Sequence, residues 1–160
     1  MTMKVLLPML SLMIALPVAA ATVTCPDLAA AVQVAACPAE EELRHTYDGY
    51  CSDDAKAYKG YNKETDVCTD YQAYRKLKNV AMWESADGNF SAYVSCDRPP
   101  VQVKAATSTS VRVAKQGKMN LLVCGYGEGL NFTLRTRAEC KVDPGADCVA
   151  NPASCKANCE

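Results

Sequence analysis

The chain has 160 residues, with 17 Lys and Arg against 18 Asp and Glu, a formal net charge of -1 and 49% hydrophobic residues. Wholesale electrostatic binding of nucleic acid needs a basic excess, and this balance excludes it. After the N-terminal leader, no run approaches the ~18 apolar residues of a transmembrane helix, and no basic amphipathic stretch suits a membrane surface.

The leader itself has one cation, Lys4, ahead of the apolar run VLLPMLSLMIA and then small residues up to Ala21. This is the layout of a signal peptide, so residues 1–21 are expected to be cleaved after Ala20 or Ala21, leaving an exported, periplasmic or extracellular chain. The short, Ala-rich style points to a bacterial source. In that case the sequons at Asn89 and Asn131 carry no glycan. Thr22-Val23-Thr24 ahead of Cys25 lacks the leucine and small residues of a lipid-attachment box.

Residues 22–78 read as two to four short helices. LAAAVQVAA after Pro26-Asp27 has Leu28, Val32 and Ala35 at helical spacing. AEEELRHTY carries the acidic first turn that suits a helix N-terminus, and Asp48-Gly49 marks a turn. SDDAKAYKGY reads as a short helix ended by Gly60. Val67, Tyr71, Tyr74 and Leu77 make one apolar helical face.

Residues 79–140 change to period two. VAMWES and FSAYVSC flank Asp87-Gly88 as a hairpin. VQVKA and SVRVAK alternate again, Gln116-Gly117 turns the chain into KMNLLVC, and LNFTLRTR follows. Five or six short antiparallel strands are expected, forming a small sheet or barrel. Between the last two strands, CGYGEG resembles a phosphate-binding loop, but no helix and no Lys-Ser or Lys-Thr follows it, so the glycines are read as a hairpin bend. Residues 141–160, with two prolines and three cysteines, read as a crosslinked loop tail. The fold class expected is α+β and disulfide-rich, with 22–160 forming one domain.

All ten cysteines lie after the leader: Cys25, Cys37, Cys51, Cys68, Cys96, Cys124, Cys140, Cys148, Cys155 and Cys159. An even count in an exported chain reads as a disulfide framework. There is no CxxC, which argues against a zinc site or a thioredoxin-like centre, so neither metal nor cofactor is expected. One local cluster among Cys25 to Cys68 and another among Cys140 to Cys159 would leave Cys96 and Cys124 to pair across the sheet.

Catalytic candidates are sparse. His45 is the only histidine. No serine sits in a nucleophile elbow, and bridged cysteines leave no thiol. Glu40-Glu41-Glu42 and Asp53-Asp54 read as solvated helix surface, because adjacent carboxylates rarely face each other across a substrate. Binding candidates are richer. Arg135 and Arg137 share a strand face with Asn131 and Thr133, with Arg112 and Lys115 on a neighbouring strand; guanidinium groups there suit an acidic partner. Tyr47, Tyr50, Tyr58, Tyr61, Tyr71 and Tyr74 enrich the helical part in a residue that serves both cores and interfaces. The Trp83 hairpin with its cysteine-bearing strands resembles, in layout alone, small periplasmic β-domains such as lysozyme inhibitors. No binding motif of that family is matched, so no residue is carried over from it.

The sequence therefore predicts an exported, disulfide-stabilised binding or interaction protein without a catalytic centre: an enzyme inhibitor, an envelope or host-contact protein, or a subunit of an extracellular assembly, with self-assembly open. Its partner is another protein or a surface component, met through Arg112, Arg135, Arg137, Tyr58 and Tyr61. The alternative is a small secreted hydrolase using His45 with a nearby carboxylate.

Overall fold

Period-two patterning builds the larger of two antiparallel sheets. The computed structural model describes residues 21–52, 67–68 and 70–160; the expected signal peptide, apart from Ala21, and the expected helix at SDDAKAYKGY, apart from Ser52, lie outside them. In chain order the strands are β1 (Ala21–Thr24), β2 (Val32–Gln33), β3 (Val80–Glu84), β4 (Ser91–Ser95), β5 (Ser110–Gln116), β6 (Met119–Gly125), β7 (Asn131–Thr136), β8 (Cys140–Val142) and β9 (Lys156–Cys159). Among the described residues the α-helices are α1 (Glu40–Cys51), α2 (Tyr71–Lys78) and α3 (Pro100–Lys104). The fold is mixed α+β and disulfide-rich. One open sheet has the order β2-β3-β4-β7-β6-β5, and a smaller one the order β1-β9-β8.

Two tight hairpins organise the large sheet. Asp87-Gly88 joins β3 to β4, where the Asp87 carboxylate accepts from the Ser85 hydroxyl at 2.5 Å and the Asn89 amide at 3.1 Å. Gly117-Lys118 joins β5 to β6, with Gly117 at a φ of 61° that glycine takes without a Cβ penalty. The CGYGEG bend joins β6 to β7 as expected. Gly127, Glu128 and Gly129 all have positive φ, and the Tyr126 and Leu130 amides donate to the Leu130 and Gly127 carbonyls. Arg98 pairs with the Glu128 carboxylate at 3.1 Å and donates to its carbonyl at 2.9 Å, which fixes the bend.

Alternation sends Trp83, Ala92, Val94, Leu122, Cys124 and Phe132 to one face of this sheet. That face is covered by the small sheet, a 3-10 turn at Leu28–Ala30 and α3, through Leu28, Ala31, Val103, Cys155 and Ala157. Burying each large aliphatic or aromatic side chain there contributes about 1.5–3 kcal/mol. Cys25–Cys124 crosses between the two layers, and Cys148–Cys155 staples the covering layer.

Several local expectations are overridden by tertiary contacts. LAAAVQVAA is not one helix. It makes the 3-10 turn and then runs extended, so that Val32 and Gln33 pair with Glu84 and Trp83. Cys25 and Cys37, at the two ends of this stretch, are tied to Cys124 and Cys96 on the large sheet, which stretches the chain across it. VQVKA is not a strand but α3, because Pro100 at its first position fixes a helical φ and only Val103 needs burial. α1 runs through Asp48-Gly49 to Cys51 rather than turning there. The tail is not all loop: β8 and β9 pair with each other and β9 with β1, closed by Cys140–Cys159. Cys96 and Cys124 do not pair with each other; within the N-terminal group only Cys51–Cys68 is local.

Candidate functional site: the open face of the large sheet

The second face of the large sheet is laid out by its register. One cross-strand row runs Val32, Glu84, Ser91, Thr133, Val123, Arg112, and the next one along β6 pairs Leu121 with Ala114 and Arg135. Arg112 and Arg135 therefore project from the same face, two strands and one row apart, about 12 Å at the backbone from ordinary strand spacings. Both are exposed, and among the described residues neither makes a hydrogen bond or an ion pair. Glu84 is the one carboxylate among the residues of that row.

Further along the same face Tyr93, paired with Met82, is 76% exposed. Val32 and Val34, each 49% exposed, flank it on the far side of β3. Tyr93 was not singled out in the sequence. The signal was present, since it alternates with the buried Ala92 and Val94, but a tyrosine in a strand is also a common core residue.

Other expected site residues separate. Arg137 lies in the bend after β7, exposed and without a partner among the described residues. Lys115 falls on the opposite parity from Arg112 and meets Glu139 at 3.8 Å. Tyr58 and Tyr61 lie outside the described residues. The remaining helical tyrosines are used largely for packing: Tyr47 meets Tyr71 and Tyr74 edge-on, with centroids 5.5 and 5.3 Å apart, and Tyr74 is buried. Arg44 lies over the Tyr71 ring at 4.4 Å. Leu77, expected on the apolar face, is exposed.

This helical pair is locked to the sheet by charge. Arg75 holds both Asp97 oxygens at 2.9 and 3.0 Å and Glu40 at 3.0 Å, while the Tyr71 hydroxyl donates to Glu40 at 2.6 Å. Hydrogen bonding from Arg75 lowers the Asp97 pKa, and bonds from Tyr71 and then Arg75 lower that of Glu40. Burial, then the Glu40 carboxylate, raises the Tyr71 phenol. Every partner is internal, so the cluster serves the fold.

His45 is exposed on α1 and makes no hydrogen bond or ion pair among the described residues. A cleft of about 370 Å³ lies between Pro26, Asp27, Ser108 and Tyr126. Three of its polar side chains are already engaged. The Tyr126 hydroxyl donates to the Pro26 carbonyl at 2.5 Å, Ser108 to the Pro152 carbonyl at 3.2 Å, and Asp27 caps the Ala29 amide at 2.9 Å. Burial, and then the charge of Asp27, raises the Tyr126 phenol.

All ten cysteines are bridged, and no group of three or more His, Cys, Asp or Glu is arranged to hold a metal ion among the described residues. No helix among them is long and apolar enough to cross a membrane. Five disulfides are consistent with a chain that folds outside the cytoplasm. Comparison with protein-family models, with curated proteins and with solved structures returns no match to this chain.

Proposed function

We propose that this chain is an exported binding protein, working in the periplasm or outside the cell, whose contact surface is the open face of the large sheet and whose partner is another protein. One observation carries the reading: among the described residues Arg112 and Arg135 have no partner, and they stand on a face that also exposes Tyr93, Val32 and Val34. Exposed guanidinium groups form bidentate pairs with carboxylates, and tyrosine contributes contact area at small entropic cost. A face braced from behind by a packed layer and the Cys25–Cys124 disulfide loses little conformational freedom when a partner lands, which favours affinity. The work of this surface is recognition, with no step of bond making or breaking.

A photo-crosslinking amino acid in place of Tyr93, introduced in the producing cells, tests this. The expected result is an adduct with a defined second protein, lost when Arg112→Glu and Arg135→Glu are combined while the far-UV spectrum is unchanged. An adduct indifferent to both arginines, or adducts only from a probe at Val101 on α3, contradicts it.

A further inference from the structure

The large sheet ends in two unequal edges. At one, the two-residue β2 and the Cys37–Cys96 bridge cover most of β3. At the other lies β5, seven residues long, which among the described residues pairs only with β6 and has β8 packed beside it. The Gly117-Lys118 turn sets which backbone groups are free. In a two-residue hairpin the closing pair, here Gln116 and Met119, exchanges hydrogen bonds. Alternation then directs the N–H and C=O of Ser110, Arg112 and Ala114 toward β6. Those of Val111, Val113 and Lys115 point outward, away from the sheet. An unpaired edge of this length is a template for another strand.

Two further features give that edge a chemistry. On the open face Arg112 projects without a partner among the described residues. On the opposite side, a groove of about 490 Å³ runs beside the start of β5; Val111, Val142, Ala146 and Val149 form its apolar part, with Thr109, Ser110 and Asp147, whose carboxylate caps the Ala150 amide, also lining it. Val149 is 79% exposed over it. A strand added to β5 would send alternate side chains to these two places: a carboxylate opposite Arg112, and an aliphatic side chain opposite Val111 into the groove.

We propose that β5 captures an extended segment of the partner protein by strand addition, and that the segment alternates acidic and aliphatic residues. This rests on the reading of the chain as a binding protein and adds the kind of partner. In strand addition, main-chain hydrogen bonds supply affinity and side-chain pockets at alternate positions supply specificity. Both halves of that arrangement are present at β5.

The test uses a fluorescein-labelled Ser-Val-Glu-Val-Glu-Val-Ser peptide, followed by anisotropy against the intact, oxidised chain. Saturable binding is expected. N-methylation of the alternate amides that would bond to the edge should weaken it at least tenfold. Arg112→Glu should weaken it at least tenfold as well, and a peptide with Lys in place of Glu should restore binding to that variant. Val149→Asp, at an exposed position, should weaken it several-fold without changing the far-UV spectrum. Absence of saturable binding overturns the proposal. Equal binding of the N-methylated peptide overturns edge pairing, and if Arg112→Glu still abolishes that binding, the face-binding reading survives alone. A concentration-dependent dimer in sedimentation that excludes the peptide assigns the edge to a second copy and overturns the partner assignment.

Discussion

Removing the Cys25–Cys124 bridge by Cys25→Ala with Cys124→Ala should be among the most costly perturbations of this fold, although Cys124 points to the side of the sheet opposite the binding face. The bridge closes a sequence separation of 99 residues, which alone corresponds to about 4.7 kcal/mol of unfolded-state entropy. Cys37–Cys96 lies inside that loop and shortens it. With that bridge closed, the shortest path from Cys25 to Cys124 is about 40 residues, and the chain-entropy contribution falls to about 4 kcal/mol. By the same relation Cys148–Cys155, at a separation of 7, contributes about 2.4 kcal/mol. For a chain of about 140 residues the unfolding entropy is roughly 0.3 kcal/mol/K, so losing Cys25–Cys124 should lower Tm by about 14 °C, and losing Cys148–Cys155 by about 8 °C. Calorimetry of the oxidised double variants reads both numbers. A drop below about 5 °C for the first, or equal drops for both, would refute the argument that sequence-distant crosslinking between the layers stabilises the fold.

Tyr126→Phe removes the donor to the Pro26 carbonyl and leaves that acceptor unpaired beside the core, at a cost of about 1–3 kcal/mol in urea unfolding; an unchanged midpoint argues against the bond. Glu40 and Asp97 titrate lower in the folded chain than in the unfolded one. Their support for the helical pair is therefore complete only above about pH 5 and is lost as the pH falls through their lowered folded values. Hydrogen exchange should show α1 and α2 loosening under acid before β6 and β7 do, and simultaneous loosening contradicts this. His45→Ala should leave partner capture and stability unchanged, and a loss of biological activity at constant fold would revive the hydrolase reading.

The legible parts of the sequence were those where local pattern and tertiary demand agree. The β3–β4 hairpin could be read because Asp87-Gly88 supplies the turn and Ala92 and Val94 supply the buried parity. The CGYGEG bend could be read because Leu130, Phe132 and Leu134 continue in period two rather than as a helix. What failed did so for identifiable reasons. Val101 and Val103 alternate over too short a span to outweigh Pro100. Leu28 and Val32 share helical spacing, yet Cys25 and Cys37 are anchored on different strands, so extension wins. The tail reads as loop because its strands are only three and four residues long and the sheet they form is completed by β1, at the far end of the chain. Alternation places Arg135 on one face with Asn131 and Thr133, but Arg112 is not on the neighbouring strand as expected, since β6 lies between β5 and β7, and Arg137 falls in the bend beyond β7. Lys115 was misplaced onto that face because one residue of parity reverses the side to which a strand residue points. Tyr93 and the β5 edge were not seen, since strand order is not written in any local segment.

Beneath each of these results is one claim: five specific crosslinks hold the fold, Cys25–Cys124 and Cys37–Cys96 tying the N-terminal stretch to the large sheet and the other three closing local loops. Non-reducing peptide mapping by mass spectrometry tests it most directly. Cys25 and Cys37 fall on one tryptic peptide ending at Arg44, so a cut beside Asp27 is needed to separate them. The account predicts Cys25 linked to Cys124 and Cys37 to Cys96, with Cys51–Cys68, Cys140–Cys159 and Cys148–Cys155 completing the set. Recovery of a Cys96–Cys124 linked peptide, or of free thiols in the native protein, would contradict it.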